Sequence, residues 1–178
     1  MTPSSMMKPQ RAFAILLALS GLAACATTER LSAANDVRAL LVAIRDGDHA
    51  AFDAHVDRRA LEAQIQSMLV AEAKNSNLAD GVKSLGVLFS GTAAHLASRL
   101  FIQPEVFRAV ADYYGYKPGT PIPSTLTLAA VLKPIAGDRV CATQGHGGPC
   151  LITFAEEDGV WRLVSFDGDV AMLRLKGR

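Results

Sequence analysis

Cys150-Leu151-Ile152-Thr153-Phe154-Ala155-Glu156-Glu157-Asp158-Gly159-Val160-Trp161-Arg162-Leu163-Val164-Ser165-Phe166 is the stretch on which the fold class turns. Cys150 to Ala155 and Val160 to Phe166 are rich in β-branched and aromatic residues, and Glu157-Asp158-Gly159 between them reads as a tight hairpin turn. In the second arm Trp161 and Leu163 are expected on one face, Val164 and Phe166 on the other. Upstream, Arg139 to Gln144 reads as a further strand, joined to Cys150 across Gly145-His146-Gly147-Gly148-Pro149. The C-terminal part is therefore a small antiparallel sheet.

Working back from the sheet, the period changes from two to 3.6. A first helix is expected from about Asn35 to Asp46, with Val37, Leu40, Leu41 and Ile44 along one face. Asn35 or Ser32 caps it and Gly47 ends it. Asp48 caps a short second helix carrying Phe52 and Val56. Asp57 caps a third, with Leu61, Ile65, Met68 and Leu69 on one face, amphipathic to about Lys74 and broken by Asn75-Ser76-Asn77. A fourth apolar-periodic segment runs from Leu78 to Phe101 through Val82, Leu85, Phe89, Leu96 and Leu100. Gly86 and Gly91 interrupt it at about 1 kcal/mol each relative to Ala, so it either packs closely there or breaks near Ser90-Gly91-Thr92. Pro104 opens a fifth helix at its N1 position, with Val106, Phe107 and Val110 inward, and Gly115 stops it. Lys117 to Pro123 is a linker. Ser124 to Leu132 has two readings: Ser124 can cap a short helix, or Thr125-Leu126-Thr127-Leu128 can alternate as a strand; the helix is preferred. About five helices followed by a small antiparallel sheet make an α+β fold.

Ahead of these elements, Lys8 and Arg11 precede a run from Ala12 to Ala24 that is almost entirely apolar or small. This is the layout of a secretory signal, too short for a bilayer span of about 20 residues. The run ends in Leu22-Ala23-Ala24-Cys25, which resembles the lipobox of bacterial lipoproteins. In that pattern the chain is cut before a Cys lipidated on sulfur; an ordinary signal cut at Ala-x-Ala is the competing reading. Two or more acyl chains on Cys25 suffice for stable anchoring. The organisation expected is a leader over 1–24, a lipid-anchored tether over 25–34 reaching roughly 30 Å if extended, and one α+β domain over 35–178. Ala26 rather than Asp after the Cys favours the outer membrane under the enterobacterial sorting pattern.

The chain carries 18 Lys and Arg against 17 Asp and Glu, and losing Lys8 and Arg11 with the leader leaves the remainder one charge negative. No basic run offers phosphate neutralisation or a polybasic lipid contact, which argues against nucleic-acid binding. Once Cys25 is assigned to lipid, Cys141 and Cys150 remain as a pair flanking a turn, and an exported protein meets an oxidising compartment; a disulfide is expected.

Val37-Arg38-Ala39-Leu40 through Ile44-Arg45-Asp46-Gly47-Asp48, the Phe52 to Leu61 stretch with His55-Val56-Asp57, the Pro104-Glu105 helix start, and Leu151-Ile152-Thr153-Phe154 with Trp161-Arg162-Leu163-Val164 follow one another in an order that resembles domain of unknown function 2939. That family comprises small bacterial envelope proteins. The resemblance covers most of residues 35–166 and implies an α+β domain tied to the membrane by a helix or a lipid. It implies no activity, so no functional residue is carried over.

The remaining constellations are weak. His49, His55, His95 and His146 have no metal-ligand spacing. Gly145-His146-Gly147-Gly148 matches an oxyanion-loop fragment, but no Gly-x-Ser-x-Gly elbow accompanies it, and no phosphate-binding loop is present. Asp46 and Asp48, and Asp167 and Asp169, are carboxylate pairs around a residue between them, the first better explained by helix ends. Tyr113, Tyr114 and Tyr116 cluster before Lys117-Pro118 and form the candidate surface for an envelope protein or glycan, with helix-end packing as the plainer explanation. The expectation is a non-enzymatic, lipid-anchored, periplasm-facing binding module without metal or cofactor. One alternative is a carrier or chaperone for an apolar ligand, with Leu78 to Phe101 roofing a cavity. Another is an envelope hydrolase, for which Ser90, Thr92 and His95 are the candidates close in sequence.

Overall fold

The computed structural model describes residues 9–75, 100–113, 115–117, 119–143 and 148–167, with side chains from residue 27 onward except at 69–70, 72–75 and 113. Five helices precede four strands among them: α1 (Pro9–Asp46), α2 (His49–Ala54), α3 (Arg58–Asn75), α4 (Pro104–Tyr113), α5 (Thr125–Val131), β1 (Leu132–Ile135), β2 (Arg139–Thr143), β3 (Cys150–Glu157) and β4 (Val160–Phe166). The expected α+β order holds. The expected helix from Leu78 to Phe101, with Gly86 and Gly91, lies outside the described residues save for its last two positions.

Helix ends follow the residues that satisfy orphan backbone groups. Gly47, at φ +69°, lets Asp48 N donate to the Ala43 carbonyl oxygen at 3.0 Å, a Schellman closure of α1. The Asp48 carboxylate accepts from Ala51 N at 3.0 Å and starts α2. Asp57 accepts from Arg59 N and Ala60 N and starts α3. At the end of α4, Gly115 has φ +90°, and Tyr116 N donates to the Ala111 carbonyl oxygen at 3.0 Å. Ser124 Oγ accepts from Thr127 N at 3.2 Å, which decides Ser124 to Leu132 as a capped helix.

Helix α1 begins far upstream of Asn35. Residues 25–34, expected as a tether ahead of the domain, are helical, and Ala33 and Ala34 are fully buried. Two physical reasons meet here. The stretch from Leu22 to Asp46 contains no glycine or proline and is rich in alanine. The small Ala33 and Ala34 side chains let neighbouring elements close on the helix.

The sheet is an antiparallel meander in the order β1-β2-β3-β4. Strand β1 was not anticipated: it is four residues long and contains Pro134, which lacks an N–H and belongs on an edge strand. The β3–β4 turn places Asp158 and Gly159 at φ +53° and +78°, as a two-residue hairpin requires. Strand β4 departs from simple alternation. Phe154 pairs with Leu163 and Ile152 with Phe166, so three residues of β4 oppose two of β3 and Val164 is the extra one. The bulge returns Phe166 to the face of Leu163 and Trp161 rather than the opposite face, and Phe166 packs against the core.

That face meets the helices. Ala33, Ala34, Val37, Leu40 and Ala43 of α1, Phe52, Val56, Leu61 and Ile102 form one buried cluster with Leu128, Leu132, Val140, Phe154, Trp161 and Leu163. Phe52 meets Phe107 of α4 edge-on, ring centres 5.3 Å apart. The outer edge of β4 is covered by the α2–α3 connection. Leu163 N donates to the His55 carbonyl oxygen, Asp57 N donates to the Leu163 carbonyl oxygen, and Val56 forms a parallel bridge to Leu163. Gln64 of α3 continues this cover by bonding both backbone groups of Phe166 through its amide.

Candidate functional site

Polar side chains gather where α1, α2 and α4 meet. His49 Nε2 lies 3.1 Å from Glu105 Oε1, both side chains about half exposed. Glu105 occupies the first turn of α4, where the helix dipole favours a carboxylate. Arg58 donates to Asp53 Oδ1 and, through Nη1, to the Ile102 carbonyl oxygen at 2.9 Å, fixing the entry to α4. Arg45 forks onto Asp46 at 2.7 and 2.9 Å. This hydrogen bond holds the Asp46 carboxyl below its usual range and raises Arg45. Both groups face water, so screening leaves the pair little weight in stability.

A second polar contact ties the first helix to the last strand. Asp36 Oδ2 accepts from Trp161 N at 2.9 Å. Nothing local signals it, because the two residues lie far apart in sequence. Trp161 is 1% exposed, and its indole Nε1 is buried without a hydrogen-bond partner among the described residues, as is His55 Nδ1.

The expected residues separate as follows. Cys141 and Cys150 form the disulfide, with Cα atoms 5.5 Å apart. They are not directly opposed: Cys141 pairs with Thr153, and Cys150 with Thr143 beyond a register shift, so the bond runs diagonally across the β2–β3 ladder. Cys25 lies on α1, and its side chain is outside the described set. Of the tyrosine cluster, Tyr113 ends α4, Tyr114 is outside the described residues, and Tyr116 is 55% exposed. The structure thus brings one aromatic ring of the candidate surface into view. His49 reaches Glu105, and His55 caps the end of α2; His95 and His146, with Ser90, Thr92 and Asp169, lie outside the described residues. Asp48 is a helix cap and Asp46 an ion-pair partner, which accounts for both members of that carboxylate pair. No three His, Cys, Asp or Glu side chains among the described residues converge as a metal site.

Sequence reasoning did not anticipate Asp36, Arg58, Gln64 or the His49–Glu105 contact. Asp53 and Arg58, five residues apart across a turn, left a faint trace. The others join elements whose packing is set by the whole fold. Chemically, all four fasten helices to one another or to the sheet edge.

These features define an α+β module whose helices close one face of a four-stranded antiparallel meander. The chain belongs to the DUF2939 family, proteins of unknown function, whose family model matches residues 18–110. The match starts inside the apolar run, takes in the described parts of α1 to α4 up to residue 110, and stops before α5 and the sheet. No curated protein and no solved structure matches the chain.

Proposed function

We propose that this protein is a lipid-anchored module of the bacterial cell envelope that faces the periplasm and binds a partner rather than turning over a substrate. The observation that carries the reading is Leu22-Ala23-Ala24-Cys25 at the end of a basic-then-apolar leader. The Cys141–Cys150 disulfide supports it, because such bonds persist in oxidising compartments. Ala26 favours the outer membrane over the inner. Tyr116, with its ring in solvent at the end of α4, is the described member of the expected partner surface for an envelope protein or glycan. The carrier reading rests on Gly86 and Gly91, and the hydrolase reading on Ser90, Thr92 and His95, all outside the described residues; neither is taken further.

Membrane fractionation of cells expressing the full chain tests the anchor. Wild-type protein should sediment with membranes and Cys25→Ala should be released or remain as unprocessed precursor. Processed Cys25→Ala protein retained on membranes like wild type contradicts the reading.

A further inference from the structure

The helical course of residues 25–34 changes what an anchor at Cys25 does. An extended tether would let the domain swivel, whereas α1 runs unbroken from that position into the core, where Ala33 and Ala34 are fully buried. Asn35 lies ten residues further along, an axial rise of about 15 Å. At that level two different elements flank α1. Thr125, in the first turn of α5, donates to Asn35 Oδ1 at 3.1 Å. Asp36, about 100° around the helix, holds the start of β4 through Trp161 N.

The two flanks differ in chemistry. The segment from Gly119 to Leu132 contains no charged residue, and it exposes Thr120, Pro121, Ser124, Leu126, Thr127, Ala130 and Val131. Leu126 is 72% and Val131 43% exposed. The β4 flank leads into the turn carrying Glu156, Glu157 and Asp158, with Arg162 paired to Glu157 at 3.1 Å. Glu29, Arg30 and Arg38 are the other charged groups of α1 near this level, and Arg30 and Arg38 face solvent. Bringing an uncharged surface with a protruding leucine to an anionic bilayer is favourable, while an acidic turn is repelled.

From this juxtaposition, and resting on the lipid-anchor reading above, we infer that α1 is a rigid stalk that leans the α5 side of the module onto the phospholipid surface, with Leu126 and Ala130, about 40° apart around α5, at the headgroup boundary. The acidic β3–β4 turn is then lifted into solvent. The partner of this face is the bilayer itself.

The test uses the full lipidated chain in phosphatidylethanolamine/phosphatidylglycerol vesicles. With Cys25 acylated and Cys141 and Cys150 bonded, a thiol introduced by Leu126→Cys or Asp158→Cys is the single labelling site for a nitroxide. Ala130→Cys supplies a second probe of the α5 side. Flotation is scored first, then the label's accessibility to oxygen against a water-soluble nickel chelate. The expected result is a severalfold rise in the oxygen-to-nickel ratio at positions 126 and 130 relative to the unlipidated soluble domain, with no change at 158. A chain that does not float overturns the anchor and the orientation together. A floating chain whose labels at 126 and 130 are as open to nickel as the label at 158, or in which all three respond alike, overturns the orientation alone.

Discussion

Asp36 shows how much one acceptor contributes when its partner is a backbone donor on a buried strand. Its carboxylate satisfies Trp161 N, and Trp161 is among the largest fully buried side chains. Asp36→Ala should cost about 1–3 kcal/mol, since the donor is left without a partner. Asp36→Asn keeps an oxygen acceptor and should cost less. Trp161 is the single tryptophan, so denaturant titration followed by its fluorescence reads both variants. Asp46 behaves differently. Arg45 lowers its carboxyl, so the pair's contribution is fully present above the ordinary carboxylate range and is lost as pH falls through the lowered value. Because the pair is exposed, Asp46→Asn should leave the denaturation midpoint at neutral pH within the scatter of ordinary surface substitutions. At this scale the sequence was legible where a residue acts on its neighbours, as Asp48, Asp57 and Ser124 do at helix starts. It was silent on Asp36, Gln64 and Glu105, whose partners come from distant elements.

Most element ends were read from their local chemistry, but the Asn35 or Ser32 cap expected for the first helix was not, because α1 runs through both residues. Gly47, at φ +69°, closes α1, and a Cβ there would meet only the flexible Glu105 side chain at 3.7 Å. Gly47→Ala should therefore cost about 1–2 kcal/mol through the left-handed backbone alone, measured by thermal or chemical unfolding. The Cys141–Cys150 bond spans a sequence separation of 9, and its reduction should cost roughly 2.5–3 kcal/mol in the chain-entropy account. Paired denaturation curves with and without reductant check this. Three features escaped the reading for different reasons. Strand β1 is too short, and its Pro134 argues against a strand when read alone. The Val164 bulge hides in an alternation that looks regular and moves Phe166 to the core face. Residues 25–34 lack the apolar period of a surface helix, yet Ala33 and Ala34 are core residues because close packing there favours small side chains.

At the scale of the molecule, the boundary of the family match and the boundary of the core do not coincide. The match ends at residue 110, while Val37, Leu40, Phe52 and Leu61 are buried together with Val140, Phe154, Trp161 and Leu163 from beyond it. A fragment of residues 18–110 should therefore lack cooperative unfolding and dispersed amide resonances, whereas the chain from residue 25 to 178 should show both. A folded fragment would mean that the sheet is dispensable. The fold class was legible because helix and strand periods separate along the chain. The site was less so, because the candidate surfaces depend on segments whose packing is tertiary. The function proposed rests most heavily on Cys25. Intact-mass and N-terminal peptide mass spectrometry of the membrane-extracted protein tests it directly. The account predicts a mature chain beginning at Cys25 and carrying a thioether-linked diacylglycerol. A mature chain that begins elsewhere, or an unmodified Cys25 thiol in the membrane-bound protein, would contradict it.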